Sequence, residues 1–289
     1  MRNSLMRIAQ LVLPGASAYE RKSQRLDAAA LAGQAESLPY TGQAESLPYT
    51  GVRQALSLSP SFDLVHVYGP RELPAAQFVG FPLPYVASGI MRRRRFALRQ
   101  PREPEYALSP LQSDGESDDF TLLPEAVDDA YFGIRQPATG NPKIGSIDRP
   151  SVRNAIEQTM ARLHRFRDDV DWHLFTHEPA PEEMAQLFAW IDPAVADDDF
   201  DGFTAEALVV GLPVVASRTP VNVQRCEQGR TGILVPPRDP NELVHAILAA
   251  LFKPEVATPK INAARQTASK FRIRQRLRVL GHIYENMTK

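Results

Sequence analysis

Cysteine is nearly missing: Cys226 is the only one in 289 residues. No disulfide can form within the chain, and such usage fits a reducing compartment. Excess charge of one sign is missing as well. Thirty-three Lys and Arg face 34 Asp and Glu, a formal net charge of -1. No global field points to nucleic acid, which is not expected as a partner. No apolar run is long enough to span a bilayer. The opening MRNSLMRIAQLVLPG is basic and then apolar, like a short signal peptide. Arg7 and Gln10 interrupt it, so it reads better as a first strand, and a cytoplasmic location is expected. Several chemical signatures are absent too. There is no GxGxxG after the first strand, and so no dinucleotide fingerprint. There is no G-x-S-x-G elbow. The six histidines show no HExxH spacing and have no cysteine partners, which argues against zinc. His173 and His177 are four apart at a strand end, where that spacing does not align them. No metal and no cofactor are expected.

What is present is ordinary for a globular protein, 43% hydrophobic and 23% charged, in a chain long enough for two domains. The most informative stretch runs over 194–237. An acidic loop with a glycine at its end (197–202) comes first. A helix-compatible run over 204–210 follows and stops at Gly211, where a left-handed cap costs glycine least. The apolar, β-branched run 212–216 then suits a buried parallel strand. A second helical patch and a short strand over 232–235 complete the pattern. This is the grammar of a doubly wound α/β domain, whose ligands sit at the carboxyl ends of strands.

The same alternation runs through the chain. Strands are expected over 6–13, 62–68 (FDLVHVY), 82–87, 143–147 and 171–176, with a strand end over 121–124. Helices are expected over 19–31, 72–79, 149–167, 182–188 and 241–252, and across most of 262–289. Residues 100–117 are polar and proline-rich and read as a loop, and 135–142 as a linker. A nine-residue tandem repeat, GQAESLPYT, fills 33–41 and 42–50. Two copies are too few for a solenoid, and their glycines and prolines favour a duplicated surface loop. Arg92, Arg93, Arg94 and Arg95 form a cluster that is ordinarily a solvated face. Its other use is a peripheral contact with anionic lipid or a phosphorylated acceptor. The expected architecture is therefore α/β, with two Rossmann-like doubly wound domains and a ligand cleft between them. The expected boundaries are 1–138, 139–270 and a closing helix over 271–289, packing back on the first domain.

The segment Glu206-Ala-Leu-Val-Val-Gly211-Leu-Pro213-Val-Val-Ala216 resembles the EAxAxGxPVVA signature of group 1 (family 4) glycosyltransferases, retaining enzymes of the GT-B type. The stretch Gly229-Arg-Thr-Gly232-Ile-Leu-Val-Pro236-Pro-Arg-Asp239 resembles their G-x-x-G-x-L-V-x-P-x-D, and the helix over 241–251 matches the one that follows it. Upstream, FDLVHVY and LLPEAVDDAYF (122–132) resemble two further family segments. The resemblance is specific over 192–251 and diffuse elsewhere.

That resemblance implies a nucleotide-diphosphate sugar as donor and an acceptor the sequence does not name. Glu206, second member of the family's E-x7-E pair, would accept hydrogen bonds from ribose hydroxyls. The first member is Asp198 instead of glutamate. Asp199, Phe200 and Asp201 stand where the family has G-F-G. Asp198, with the N–H groups of Phe200 and Asp201, would face the donor sugar. Gly202, Phe203 and Thr204 lead into the helix whose start favours diphosphate. Arg149 and Arg153 resemble the family's basic pair, which offsets charge on the departing diphosphate; as an alternative, both are solvated helix residues. The loop Pro14, Gly15, Ala16 and Ser17 would lie on the acceptor side. The chain departs from the family in other ways. PYVASGIMRRRR lacks the histidine often found there, His66 reads as packing within its strand, and 176–190 is short for a missing strand and crossover. A non-catalytic sugar-nucleotide-binding or scaffold protein is the alternative, and an epimerase or hydrolase on the same fold is a third. Asp197, Asp199, Asp201 and Gly202 also spell the start of a calcium loop, but position twelve is Leu208 where a bidentate glutamate is needed.

Overall fold

The computed structural model describes residues 7–12, 18–33, 43–47, 64–68, 85–88, 106–109, 121–134, 139–195 and 202–287. The chain divides into two compact units. One comprises Met1–Ala126 with Ile273–Lys289, the other Val127–Arg272.

In the first unit, β1 (Arg7–Val12) leads into helix α1 (Ala18–Gly33). Strands β2 (Gln43–Leu47), β3 (Leu64–Tyr68), β4 (Tyr85–Ser88), β5 (Tyr106–Ser109) and β6 (Thr121–Leu122) follow. All pair in parallel, in the order β2-β1-β3-β4-β5-β6. Two of these strands depart from the sequence expectation. The second copy of the nine-residue repeat supplies β2, an edge strand paired with β1, where a surface loop is expected. Likewise β5 arises inside the polar, proline-rich stretch. Local composition argued against both; pairing to a neighbour with unsatisfied N–H and C=O groups outweighs it. The helix expected over 72–79 lies outside the described residues.

The second unit is built from β7 (Lys143–Ile147), α2 (Arg153–Leu163), β8 (Asp171–Phe175), α3 (Pro181–Ala185) and β9 (Ala189–Asp192). It continues with α4 (Thr204–Val210), β10 (Val214–Ser217), α5 (Pro220–Arg225) and β11 (Ile233–Val235). Helices α6 (Pro240–Phe252) and α7 (Pro254–Thr267) end it. The sheet is parallel, in the order β11-β10-β9-β7-β8. Side chains alternate between its two faces, as the period of two requires. Ile144, Ala189, Ile191 and Val215 pack with Ile156 of α2 and Ile247 of α6. Ile147, Trp190, Val214 and Ala216 pack with Leu208 of α4 and Ala264 of α7. Both tryptophans, Trp172 and Trp190, are buried core residues.

Local signals set the helix ends. Thr219 accepts from the Asn222 N–H ahead of Pro220, and Asp239 accepts from the Asn241 and Glu242 N–H groups ahead of Pro240. Each pairs a capping side chain with proline at the first helical position. Gly211 closes α4 at φ 82°. The expected helix over 149–167 is shorter at both ends; at its start, the residue before a proline is pushed out of helical geometry. Arg149 precedes Pro150 and lies in the loop after β7, and α2 begins at Arg153.

Helix α8 (Ile273–Met287) belongs to the first unit. Its buried face, Arg276, Leu277, Leu280, Ile283 and Tyr284, follows helical spacing and packs with Ile8 and Leu123. A buried polar network holds it. The Arg276 guanidinium donates to both Asp27 oxygens, from Nε at 2.6 Å and Nη2 at 2.9 Å, and from Nη1 to the Pro124 carbonyl. Tyr68 donates to Asp27 at 2.8 Å, and His66 Nδ1 meets the Tyr284 hydroxyl at 2.5 Å. Burial and the Arg276 charge hold the His66 pKa well below its usual value. His66 is thus a packing residue, as its place in the strand suggests.

Candidate functional site

A parallel sheet in an α/β unit leaves its ligand-facing edge where strands end and helices begin. In the second unit that edge carries a cluster centred on a residue that sequence reasoning did not single out. Asp192 ends β9 with its side chain fully buried. It accepts from Arg149 Nη2 at 2.9 Å, Thr204 Oγ1 at 2.7 Å and Asn222 Nδ2 at 3.1 Å. Those donors come from the loop after β7, the start of α4 and the first turn of α5. Burying a carboxylate is costly unless charge and hydrogen bonds compensate it, and here both do.

Gly202 closes the site. A Cβ there would meet Asp192 Oδ2 at 2.2 Å, so only glycine allows the chain this near the carboxylate. Its carbonyl accepts from Trp190 Nε1 at 2.8 Å. Phe203 then enters α4 in the left-handed region, at φ 50°. That conformation costs a non-glycine residue on the order of 1 kcal/mol and concentrates at functional sites.

Glu206 lies in the first turn of α4, every residue of which is buried. The residue is 1% exposed. Nearby, Tyr131 donates to the Pro179 carbonyl. Burial, reinforced by the charges of Glu206 and Glu178, pushes its phenol far above the usual range. Arg153 takes a different position from Arg149. It is exposed and donates from Nε (3.0 Å) and Nη2 (2.8 Å) to the two oxygens of Asp148. That hydrogen bonding holds its guanidinium still more firmly protonated.

Of the residues expected from the sequence, Arg149, Gly202 and Thr204 converge on Asp192, with Phe203 and Glu206 in the same turn. Asp198, Asp199, Phe200 and Asp201 lie outside the described residues, as do Pro14, Gly15, Ala16 and Ser17 and Arg92, Arg93, Arg94 and Arg95. Among the described residues no group of three His, Cys, Asp or Glu side chains could hold a metal ion. Nor is any described helix long and apolar enough to cross a membrane. Asp192 did leave a signal in the sequence: a carboxylate ending the apolar run AWI is out of place in a buried parallel strand. Asn222 left none.

Residues 144–252 match a family model described as Glycosyl transferases group 1. No curated protein matches the chain in sequence. Several solved structures resemble it along nearly its whole length. HepE (Alr3699) of Anabaena, in complex with UDP and glucose, superposes with a TM-score of 0.70 at 15% identity, over 96% of this chain and 99% of that one. Sucrose-phosphate synthase from Thermosynechococcus elongatus gives 0.67 at 14% identity, over 98% and 99%. WaaG, a glycosyltransferase involved in lipopolysaccharide biosynthesis, gives 0.61 at 13%, over 91% and 95%. The fold is that of the GT-B glycosyltransferases.

Proposed function

We propose that this chain transfers a sugar, with retention, from a nucleotide-diphosphate sugar held on the second unit to an acceptor. The observation that carries the reading is the placement of Glu206. Its carboxylate is buried in the first turn of α4, two residues after Thr204, on the sheet edge where Arg149 is anchored. A carboxylate there suits a pair of ribose hydroxyls. A fixed guanidinium beside it suits the diphosphate, whose charge grows as the bond to the sugar breaks. The family match over 144–252 and the likeness to a UDP-bound structure support the same assignment. In this reading Asp198, with the N–H groups of Phe200 and Asp201, faces the donor sugar. Arg153 assists Arg149, and the acceptor lies by Pro14, Gly15, Ala16 and Ser17. Arg92 to Arg95 supply a peripheral contact with anionic lipid.

Calorimetric titration with UDP, GDP and ADP tests the donor site. One of the three is expected to bind wild type and to lose on the order of tenfold or more in Glu206→Ala, the scale of hydrogen bonds to a charged group. A folded wild type that binds none of them contradicts the reading.

One observation favours a second reading, a GT-B protein that binds without turnover. Arg153 is already engaged at two points by Asp148, and Arg149 at one by Asp192, so both cations assigned to the leaving diphosphate have their charge balanced within the chain. Nucleotide binding without sugar release or transfer from the matching nucleotide sugar would select it.

A further inference from the structure

We infer that Asp192 is a positioning residue for the donor's phosphates, acting through Arg149; the inference rests on the donor site proposed above. The ligand class is the phosphate chain of a nucleotide, and not its base or ribose.

Asp192 is itself shut off from solvent: its side chain is fully buried, while that of Arg149 keeps 13% of its surface exposed. One edge of the Arg149 guanidinium is therefore fixed from behind, at 2.9 Å. An arginine has a long, rotamer-rich side chain, and holding its planar fork in advance removes an entropy cost that phosphate binding would otherwise meet. Asp192 is fixed in turn. Thr204 and Asn222 both donate to Oδ2, leaving Oδ1 to Arg149. Gly202 approaches so closely that even one added carbon would collide with the carboxylate. The division of labour between the two oxygens defines a chain of position: α4 and α5 hold Asp192, and Asp192 holds Arg149.

A second observation fits a ligand at this junction. Asn222 is wholly buried, its amide nitrogen is committed to Asp192, and its Oδ1 has no hydrogen-bond partner among the described residues. Buried acceptors are rarely left in that state. A buried acceptor on a side chain that shares Asp192 with Arg149 suits a hydroxyl or a water bound along with the phosphates.

The test compares UDP with uridine, using ligand-observed NMR to reach weak affinities; GDP with guanosine replaces them where the wild type selects that base. The proteins are wild type, Asp192→Asn, Arg149→Gln, the double variant and Thr204→Val. Asp192→Asn is expected to weaken UDP on the order of tenfold, the worth of one charge-assisted hydrogen bond, and to leave uridine unchanged. In the Arg149→Gln background the same substitution is expected to add nothing, because Asp192 acts only through that arginine. Thr204→Val keeps the carboxylate and nearly the same shape, so it keeps the proposal testable where Asp192→Asn fails to fold. It is expected to weaken UDP by a smaller factor and again to spare uridine. Equal losses for UDP and uridine, losses that add to those of Arg149→Gln, or tighter UDP binding in Asp192→Asn would each overturn the inference. A wild type that binds no nucleotide overturns the donor site itself, a failure seen before any variant is made.

Discussion

Replacing Gly145 by alanine adds one carbon at a point where the second unit has no room for it. Gly145 lies inside β7 and is paired across the sheet with Trp190. An alanine Cβ would stand 2.4 Å from Leu187 Cδ1 and 2.9 Å from the Trp190 ring. Leu187 and Trp190 are 1% and 0% exposed, so neither can swing into solvent. Overpacking of this kind costs about 1–3 kcal/mol. The displaced indole also carries the hydrogen bond from Nε1 to the Gly202 carbonyl, whose loss would add about 0.5–1.5 kcal/mol. Gly145→Ala is therefore expected to destabilise the second unit by roughly 2–4 kcal/mol. It should also loosen Gly202 against Asp192, both far from Gly145 in sequence. Urea unfolding followed by tryptophan fluorescence reads this directly, because both tryptophans, Trp172 and Trp190, lie in that unit. A loss below about 0.5 kcal/mol at unchanged m, the range of ordinary surface substitutions, would refute the reasoning. It would mean that the sheet relaxes around the added carbon.

Three further outcomes follow from buried groups. Arg276→Met removes the guanidinium from Asp27, both groups being almost fully buried. A loss of about 3–5 kcal/mol in the first unit is expected, read by hydrogen exchange of β1 and β3 amides. Adding Asp27→Leu should recover part of it, and a loss under about 1 kcal/mol for the single change would contradict the buried pair. His66 has a folded pKa well below its ordinary 6.5, through burial and the charge of Arg276. Its contribution is thus complete above pH 6.5 and declines as pH falls below that value toward the folded pKa, since only the unfolded chain takes up the proton there. His66→Gln should flatten this acid limb in urea midpoints between pH 8 and 5, and an unchanged slope would assign the limb to other groups. Burial pushes the Cys226 thiol up to about 12, so it should resist a disulfide reagent at pH 8 in the native protein and react in denaturant. Fast native labelling would show the site open.

How much of this was legible in the sequence depends on the range of the interactions. The run from Thr204 to Ser217 was readable because its determinants are local. Glycine ends the helix at Gly211, and β-branched residues fill β10. Arg149 was recognised as a site residue but placed in a helix. The proline after it decides its loop position, and that position lets it reach Asp192. The strands β2 and β5 were hidden, because their pairing with β1 and β4 lies in no local signal. The Asp192 cluster was hidden most deeply. It joins residues 149, 192, 204 and 222, which come together only when β7, β9 and β10 lie side by side.

In the proposed donor site a nucleotide sits at the carboxyl ends of these strands, with its ribose on Glu206 and its diphosphate at Arg149. A crystal structure of the protein soaked with the nucleoside diphosphate selected by calorimetry tests it most directly. Ribose hydroxyls are expected within hydrogen-bond distance of the Glu206 carboxylate, phosphate oxygens on Arg149, and Asp192 still holding that arginine from behind. A nucleotide bound elsewhere, or at this edge with Glu206 and Arg149 both out of contact, would contradict it.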